Sequence, residues 1–295
     1  MTGDRLALAR FISAVESAGA AAALAGLYGR SSGAHIVGLT GPPGAGKSTL
    51  TDRLIAHARV EGPVAVVAVD PSSPFTGGAI LGDRVRMQRH TDDDGVFIRS
   101  LASRGHLGGV SAATPNVVAV LDAVGYPVVF VETVGVGQAE VEIAGHADTT
   151  VVVVHPRWGD SIQAAKAGLL EVGDIFVVNK ADLNGAAAAA ADLKQMLEMG
   201  AATDWTPPVL EASAADGSGT RQVWDAIGAH RKHLEATGVL DEARWRRARH
   251  AVVKALEEQV ASAATIDEAA LDAAASQIVA GDIDPWTAAR RLLDR

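Results

Sequence analysis

The run Gly41-Pro42-Pro43-Gly44-Ala45-Gly46-Lys47-Ser48 combines the residue types that hold a polyphosphate. Glycines let successive backbone N–H groups converge on phosphate oxygens, a helix opening directly behind them adds positive potential, and an ammonium and a hydroxyl follow at fixed spacing. On this reading Gly41, Pro42, Gly44, Ala45 and Gly46 cradle the phosphates, Lys47 reaches the β and γ oxygens, Ser48 ligates Mg²⁺, and Thr49 completes the set. The apolar run AHIVGLT before the loop and the helical pattern after it supply the strand–loop–helix context this chemistry needs.

The loop by itself specifies a nucleotide, and the base must be read elsewhere. Asn179-Lys180-Ala181-Asp182 closes the apolar run DIFVV. The Asp182 carboxylate there can accept hydrogen bonds from the N1–H and exocyclic amino group of guanine, a pair that adenine does not offer. Lys180 would lay its stem along the ring, and Asn179 would tie this loop to the phosphate loop. Ser213-Ala214-Ala215, with Gly217 and Gly219, would meet the base edge through backbone amides, although a Ser/Gly loop reads equally well as an ordinary turn.

Metal and water chemistry calls for carboxylates at the carboxyl ends of neighbouring strands. Asp70 ends VAVVAVD and Glu132 ends PVVFVE, hard oxygen ligands that suit Mg²⁺ and would also suit helix N-caps. Ser48, Asp70 and Glu132 form the expected metal set; Lys47, Asp70, Asp83 and Glu132 form the expected catalytic set. In Glu132-Thr133-Val134-Gly135, the Gly135 N–H is placed to sense a γ-phosphate. Val136 stands where a Ras-like switch carries the Gln that orients water, so intrinsic hydrolysis is expected to be slow. Asp83, or a group supplied by a partner, would then position the water.

These residues need a scaffold that presents strand ends side by side. Seven Val/Ile-rich runs (AHIVGLT, VAVVAVD, GVFIRS, PVVFVE, DTTVVVVH, DIFVVNK and PPVLEAS) alternate with helical stretches. Runs this uniformly apolar belong to strands covered on both faces, which predicts an α/β fold with a mainly parallel, doubly wound sheet. Residues 4–29 read as an amphipathic helix or helix pair, 184–200 as a surface helix, and the chain from about 237 onward as three helices, with Asp284-Pro285 opening the last. The expected organisation is a helical extension over 1–33, a nucleotide domain over 34–236 and a helical region over 237–295. The apolar faces of that last region call for a partner surface, which a second subunit would supply.

A net charge of -9 argues against a nucleic-acid partner. With no Cys there is no disulfide framework and no soft metal site. Nor is there an apolar stretch of membrane-spanning length, so a cytoplasmic protein that engages no membrane is expected. The nine His are scattered, and His230 and His233, which share a helical face, read as an exposed polar face rather than as metal ligands.

The succession of phosphate loop, Asp70-Pro71-Ser72-Ser73-Pro74, the segment 77–87, Glu132-Thr133-Val134-Gly135-Val136-Gly137-Gln138 and Asn179-Lys180-Ala181-Asp182 closely resembles the MeaB/ArgK family. These are GTPases associated with methylmalonyl-CoA mutase. The resemblance covers about residues 34–236 and returns in AGDIDPWTAARRLL near the end. It implies a P-loop NTPase fold, bound GTP or GDP, a homodimer joined through its helical tail, and a chaperone role toward an adenosylcobalamin-dependent methylmalonyl-CoA mutase. It also implies acidic roles for Asp70, Asp83 and Glu132, and a further switch at Asp160, Gln163 and Lys166 that conveys nucleotide state to the mutase. Arg157 stands where the family pattern carries Gly, and the N-terminal lead is shorter than usual. The competing reading is an ATP-dependent kinase associated with lysine, arginine and ornithine transport, the older label for some relatives.

Overall fold

Each of the seven apolar runs becomes a strand: β1 His35–Thr40, β2 Val64–Asp70, β3 Val96–Ala102, β4 Val128–Thr133, β5 Thr149–Val154, β6 Ile175–Val178 and β7 Val209–Glu211. The computed structural model describes residues 5–16, 24, 26–27, 30–70, 87–90, 92–102, 113–133, 142–157, 163–200, 204–263, 268–280, 282–284, 287 and 291–292. The strands form one sheet in the order β3-β2-β4-β1-β5-β6-β7, and every neighbouring pair is parallel. Burial follows position: β2, β4, β5 and β6 are buried at every residue, whereas the edge strands β3 and β7 are partly exposed. That pattern is why the sequence lacks the alternation of a one-sided sheet.

Helices cover both faces. The strand residues with the parity of Val37, Val66, Phe130 and Val153 pack under α2 (Lys47–Arg59) and α6 (Thr220–Thr237), through Leu50, Leu54, Val223 and Ile227. On the other face, α1 (Arg5–Glu16) and α3 (Thr114–Val124) cover β2 and β4, while α4 (Gln163–Val172) and α5 (Ala186–Glu198) cover β5 and β6. Ile12 and Val15 of α1 are buried in this core, which ties the N-terminal lead to the nucleotide domain. Within residues 4–29, the described helix α1 ends at Glu16. The Ala-rich helix α5 is less of a surface element than its composition suggests, since Ala186, Ala190 and Leu193 are buried.

The chain divides into two compact units, residues 1–240 and 241–295. The second contains most of α7 (Val239–Ala263) and all of α8 (Glu268–Val279). On α7, Trp245, Val252 and Leu256 are exposed at intervals of seven and four residues, an apolar stripe along one helix face. Asp284 accepts hydrogen bonds from the Thr287 amide (3.0 Å) and hydroxyl (2.6 Å), the bonds an N-cap makes.

His230 corrects the sequence reading, because it is buried rather than part of an exposed face. Its Nδ1 lies 2.9 Å from Thr149 Oγ1, which also meets His35 Nε2 at 2.8 Å, and its Nε2 lies 3.5 Å from Asp174 Oδ1. The Trp205 ring packs against that of His230, tilted by 52° with ring centroids 4.8 Å apart. Burial, followed by the charge of His233 and against that of Asp148, lowers the His230 pKa to about 4. Burial, against a bond from the Thr150 amide, raises that of Asp174 to about 6.

The two groups drive stability in opposite directions. Below pH 6.5 the unfolded chain protonates this His before the folded chain does, so stability falls down to about pH 4, by about 3 kcal/mol for this shift. Asp174 takes its proton in the folded state first, from about pH 6, so it stabilises the fold as pH falls toward 3.8. His230→Asn is therefore expected to be less stable than the parent at pH 7 and to recover relative to it between pH 6 and 4. Urea midpoints at pH 7, 6, 5 and 4 measure this, and parallel curves for the two proteins would contradict it.

Candidate functional site

The phosphate loop leaves β1, whose neighbours β4 and β5 follow it in sequence after the excursion through β2 and β3, so the loop opens at the topological switch point of the sheet. Its glycines are fixed by geometry. Gly41 has φ 130°, and a Cβ on it would fall 2.0 Å from the Val153 carbonyl oxygen. A Cβ on Gly46 would fall 2.4 Å from Asn179 Nδ2. Lys47 begins α2, is nearly fully buried, and donates from Nζ to the carbonyls of Gly41 at 2.7 Å and Pro42 at 3.1 Å. The ammonium thus lies inside the arch of the loop.

Ser48, Asp70 and Glu132 gather beside the loop. Ser48 Oγ donates a short hydrogen bond to Glu132 Oε1. Glu132 on β4 stands in register with Ala68 on β2, so Asp70, two residues further along, shares its face of the sheet on the adjacent strand. Both carboxylates are buried. A hydroxyl and two carboxylates are hard donors and fall short of a complete protein cage, which suits Mg²⁺, an ion that takes one or two carboxylates together with phosphate oxygens and water. Among the described residues no group of three or more His, Cys, Asp or Glu could hold a metal alone.

Asn179 joins the phosphate loop to the turn after β7. Its Nδ2 donates to the carbonyls of Ala45 (2.9 Å) and Gly46 (3.3 Å), and its Oδ1 accepts from the Ala214 amide at 3.0 Å. One buried side chain therefore connects residues 45–46, 179 and 214. Lys180, beside it, has φ 60°, the one non-glycine with positive φ among the described residues. A conformation that costs about 1 kcal/mol is held where the Lys180 stem passes 3.9 Å from the position a Gly46 Cβ would take. Asp182 follows in the turn, exposed to solvent.

Arg53 belongs to this assembly and carried no signal in the sequence. From α2 its Nε donates to Ala214 O at 2.9 Å and its Nη2 to Ala215 O at 2.7 Å. A basic residue six positions after Lys47 gives no hint of partners more than 160 residues away. Between the loop shoulder and Lys180 lies a cleft of about 270 Å³, lined by Pro43, Gly44, His155, Arg157, Lys180 and Leu183 among others. Burial, then the charges of Lys180 and Arg157, lower the His155 pKa, so the local potential favours anions.

Asp83, Gly135 and Asp160 lie outside the described residues, and Gln163 and Lys166 fall at the start of α4. The structure thus brings together Gly41, Pro42, Gly44, Ala45, Gly46, Lys47, Ser48 and Thr49 with Asp70, Glu132, Asn179, Lys180 and Ser213–Ala215.

Comparison with known proteins gives one consistent family. A family model described as methylmalonyl Co-A mutase-associated GTPase MeaB matches residues 8–269. A Pyrococcus horikoshii protein, provisionally named a GTPase, is 47% identical over 99% of this chain and 95% of its own. The mouse protein named methylmalonic aciduria type A homolog, mitochondrial, is 36% identical over 69% of this chain and 51% of its own. The crystal structure of a LAO/AO transport system kinase is similar with a TM-score of 0.72 and 29% identity, covering 99% of this chain and 93% of that one.

Proposed function

Because this chain belongs to the MeaB family of methylmalonyl-CoA mutase-associated GTPases, we propose that it binds GTP with Mg²⁺, hydrolyses it to GDP, and assists an adenosylcobalamin-dependent methylmalonyl-CoA mutase. The assistance consists of gating cofactor loading and protecting or reactivating the enzyme. The observation that carries the reading is the Asn179 bridge, which ties residues 45–46 of the phosphate loop to residue 214 of the turn after β7.

In this reading Ser48, Asp70 and Glu132 hold the Mg²⁺ shell. The ion, when bound, neutralises charge developing on the β- and γ-phosphate oxygens. Lys47 donates to those oxygens, the amides of residues 44–48 orient them, and Thr49 lies in the first turn behind. Glu132, bonded to Ser48 from the end of β4, would face the phosphates, and Asp83 or a partner group would place the water, since Val136 cannot. Asp182 and the amides of the 213–215 turn read guanine. Gly135, together with Asp160, Gln163 and Lys166, transmits nucleotide state to the mutase. The exposed stripe on α7 supports a homodimer, and the lack, among the described residues, of any helix able to cross a membrane is compatible with work in the cytoplasm.

The rival reading is an ATP-dependent transport kinase, which predicts adenine preference. Titrating the protein with mant-GDP and mant-ADP, then measuring GTP turnover with and without the mutase, tests both. We expect mant-GDP to bind at least about 100-fold more tightly than mant-ADP, as a site that pairs with base N–H groups discriminates, and turnover to rise when mutase is added. Equal binding of the two nucleotides would remove the guanine assignment; turnover indifferent to the mutase would remove the chaperone role.

A further inference from the structure

We propose that Arg53 is a positioning residue for purine recognition: it orients the Ala214–Ala215 peptide so that the Ala215 N–H faces the 6-oxo group of guanine. The inference rests on the guanine-site reading above and adds to it the residue that aims the base-reading amide.

Three amides were expected to meet the base edge, and two are already engaged within the protein. The Ser213 N–H donates to Ser218 O at 2.9 Å, and the Ala214 N–H donates to Asn179 Oδ1 at 3.0 Å. Among the described residues that leaves the Ala215 N–H without a protein acceptor and open to a ligand. Its direction is not independent, because it shares a peptide plane with Ala214 C=O, and in a trans peptide the two point opposite ways. No described peptide bond is cis. Arg53 holds Ala214 O from the α2 side at 2.9 Å, so the Ala215 N–H is turned away from α2. The second bond, Nη2 to Ala215 O at 2.7 Å, fixes the following peptide too.

The chemistry matches the geometry. A 6-oxo purine presents an acceptor to this N–H, whereas adenine presents an amino donor there. The guanidinium charge on Ala214 O polarises the peptide and strengthens its N–H as a donor. A planar fork with divergent donors can hold two successive carbonyls, which a single ammonium cannot do equally well. Arg53 also stands six residues after Lys47 on the same helix, so α2 acts as a strut between phosphate loop and base turn. His57, one turn further on, reaches Thr220 Oγ1 at 3.0 Å and extends the lacing to the start of α6.

Affinities of the full chain for GDP, 6-thio-GDP and IDP, measured by displacement of mant-GDP, separate this role from a general structural one. 6-thio-GDP keeps the N1–H and 2-amino groups that Asp182 reads and changes the 6-position; IDP keeps the 6-oxo group and lacks the 2-amino. The parent should favour GDP over 6-thio-GDP by about tenfold, the value of one good hydrogen bond. In Arg53→Ala, GDP binding should fall by about tenfold and that preference should shrink to about twofold, while the GDP-to-IDP ratio stays unchanged. Arg53→Lys should fall between the two proteins, and Arg53→Met, which keeps the aliphatic stem, provides the same test if the Ala variant does not fold. Equal weakening of all three diphosphates, or an unchanged GDP to 6-thio-GDP ratio, would overturn the proposal for Arg53 alone. A parent protein with no preference for GDP over IDP would instead show that the guanine site itself is misassigned, and the proposal would go with it.

Discussion

Lys47→Ala is expected to weaken GDP and GTP binding by about two to four orders of magnitude, roughly the loss of two charge-assisted hydrogen bonds at about 1.5–3 kcal/mol each. The side chain is nearly fully buried and its ammonium already sits within hydrogen-bonding distance of the loop carbonyls of Gly41 and Pro42, so it would reach a phosphate held by the loop without a costly reorganisation. Truncation removes the ammonium inside the arch and leaves the loop amides to balance a polyphosphate without it. The fold should survive, because the packing of α2 rests on Leu50, Leu54, Ile55 and Ala58 on its buried face. Isothermal titration with GDP, together with a thermal melt, distinguishes a lost ligand site from a lost fold. A Lys47→Ala protein with parental GDP affinity would show that the phosphates lie elsewhere.

What could be read in the sequence, and what could not, divides by the distance over which each contact acts. The seven strands and the phosphate loop were visible because the cause is local: continuous apolar runs for strands buried on two faces, and closely spaced glycines for a loop that meets the Val153 carbonyl and the Asn179 amide. Even the weakest strand, β7, with three residues, was marked by its run after Pro207 and Pro208. Arg53 and His230 were not legible, because their meaning lies in partners contributed by other elements. Ala214 and Ala215 lie 161 and 162 residues from Arg53 in sequence. His230 looks polar and exposed by helical spacing beside His233, yet α6 turns it onto Thr149 at the start of β5, where a hydroxyl and a carboxylate satisfy it. Sequence periodicity locates a helix face; it does not say which polar residue on that face meets a polar neighbour inside. The family pattern marks residues such as Asp83, Gly135 and Asp160 that lie outside the described residues, so for these the chemistry rests on the motif rather than on contacts.

Asp182→Asn is expected to exchange the base rather than destroy the site. A carboxylate accepts from both N1–H and the 2-amino group of guanine, whereas a carboxamide accepts one hydrogen bond and donates the other. Guanine would then face a donor with its own amino donor, leaving two N–H groups opposed, and GDP affinity should drop by about 100-fold or more, the penalty for an unpaired polar group in a site built for hydrogen bonding. Xanthine carries an oxygen at position 2, so it accepts from the new carboxamide while its N1–H donates to the carbonyl, and XDP should become the preferred ligand. The backbone of the turn does not mask this result, since Asn179 and not Asp182 holds residues 45–46 and 214 together, and Asp182 is exposed. Competition of GDP, XDP and ADP against a fluorescent diphosphate gives the ratio directly. An Asp182→Asn protein that still ranks GDP above XDP would place the purine away from this carboxylate, and with it the conclusion that the strand-end loop after β6 chooses the base.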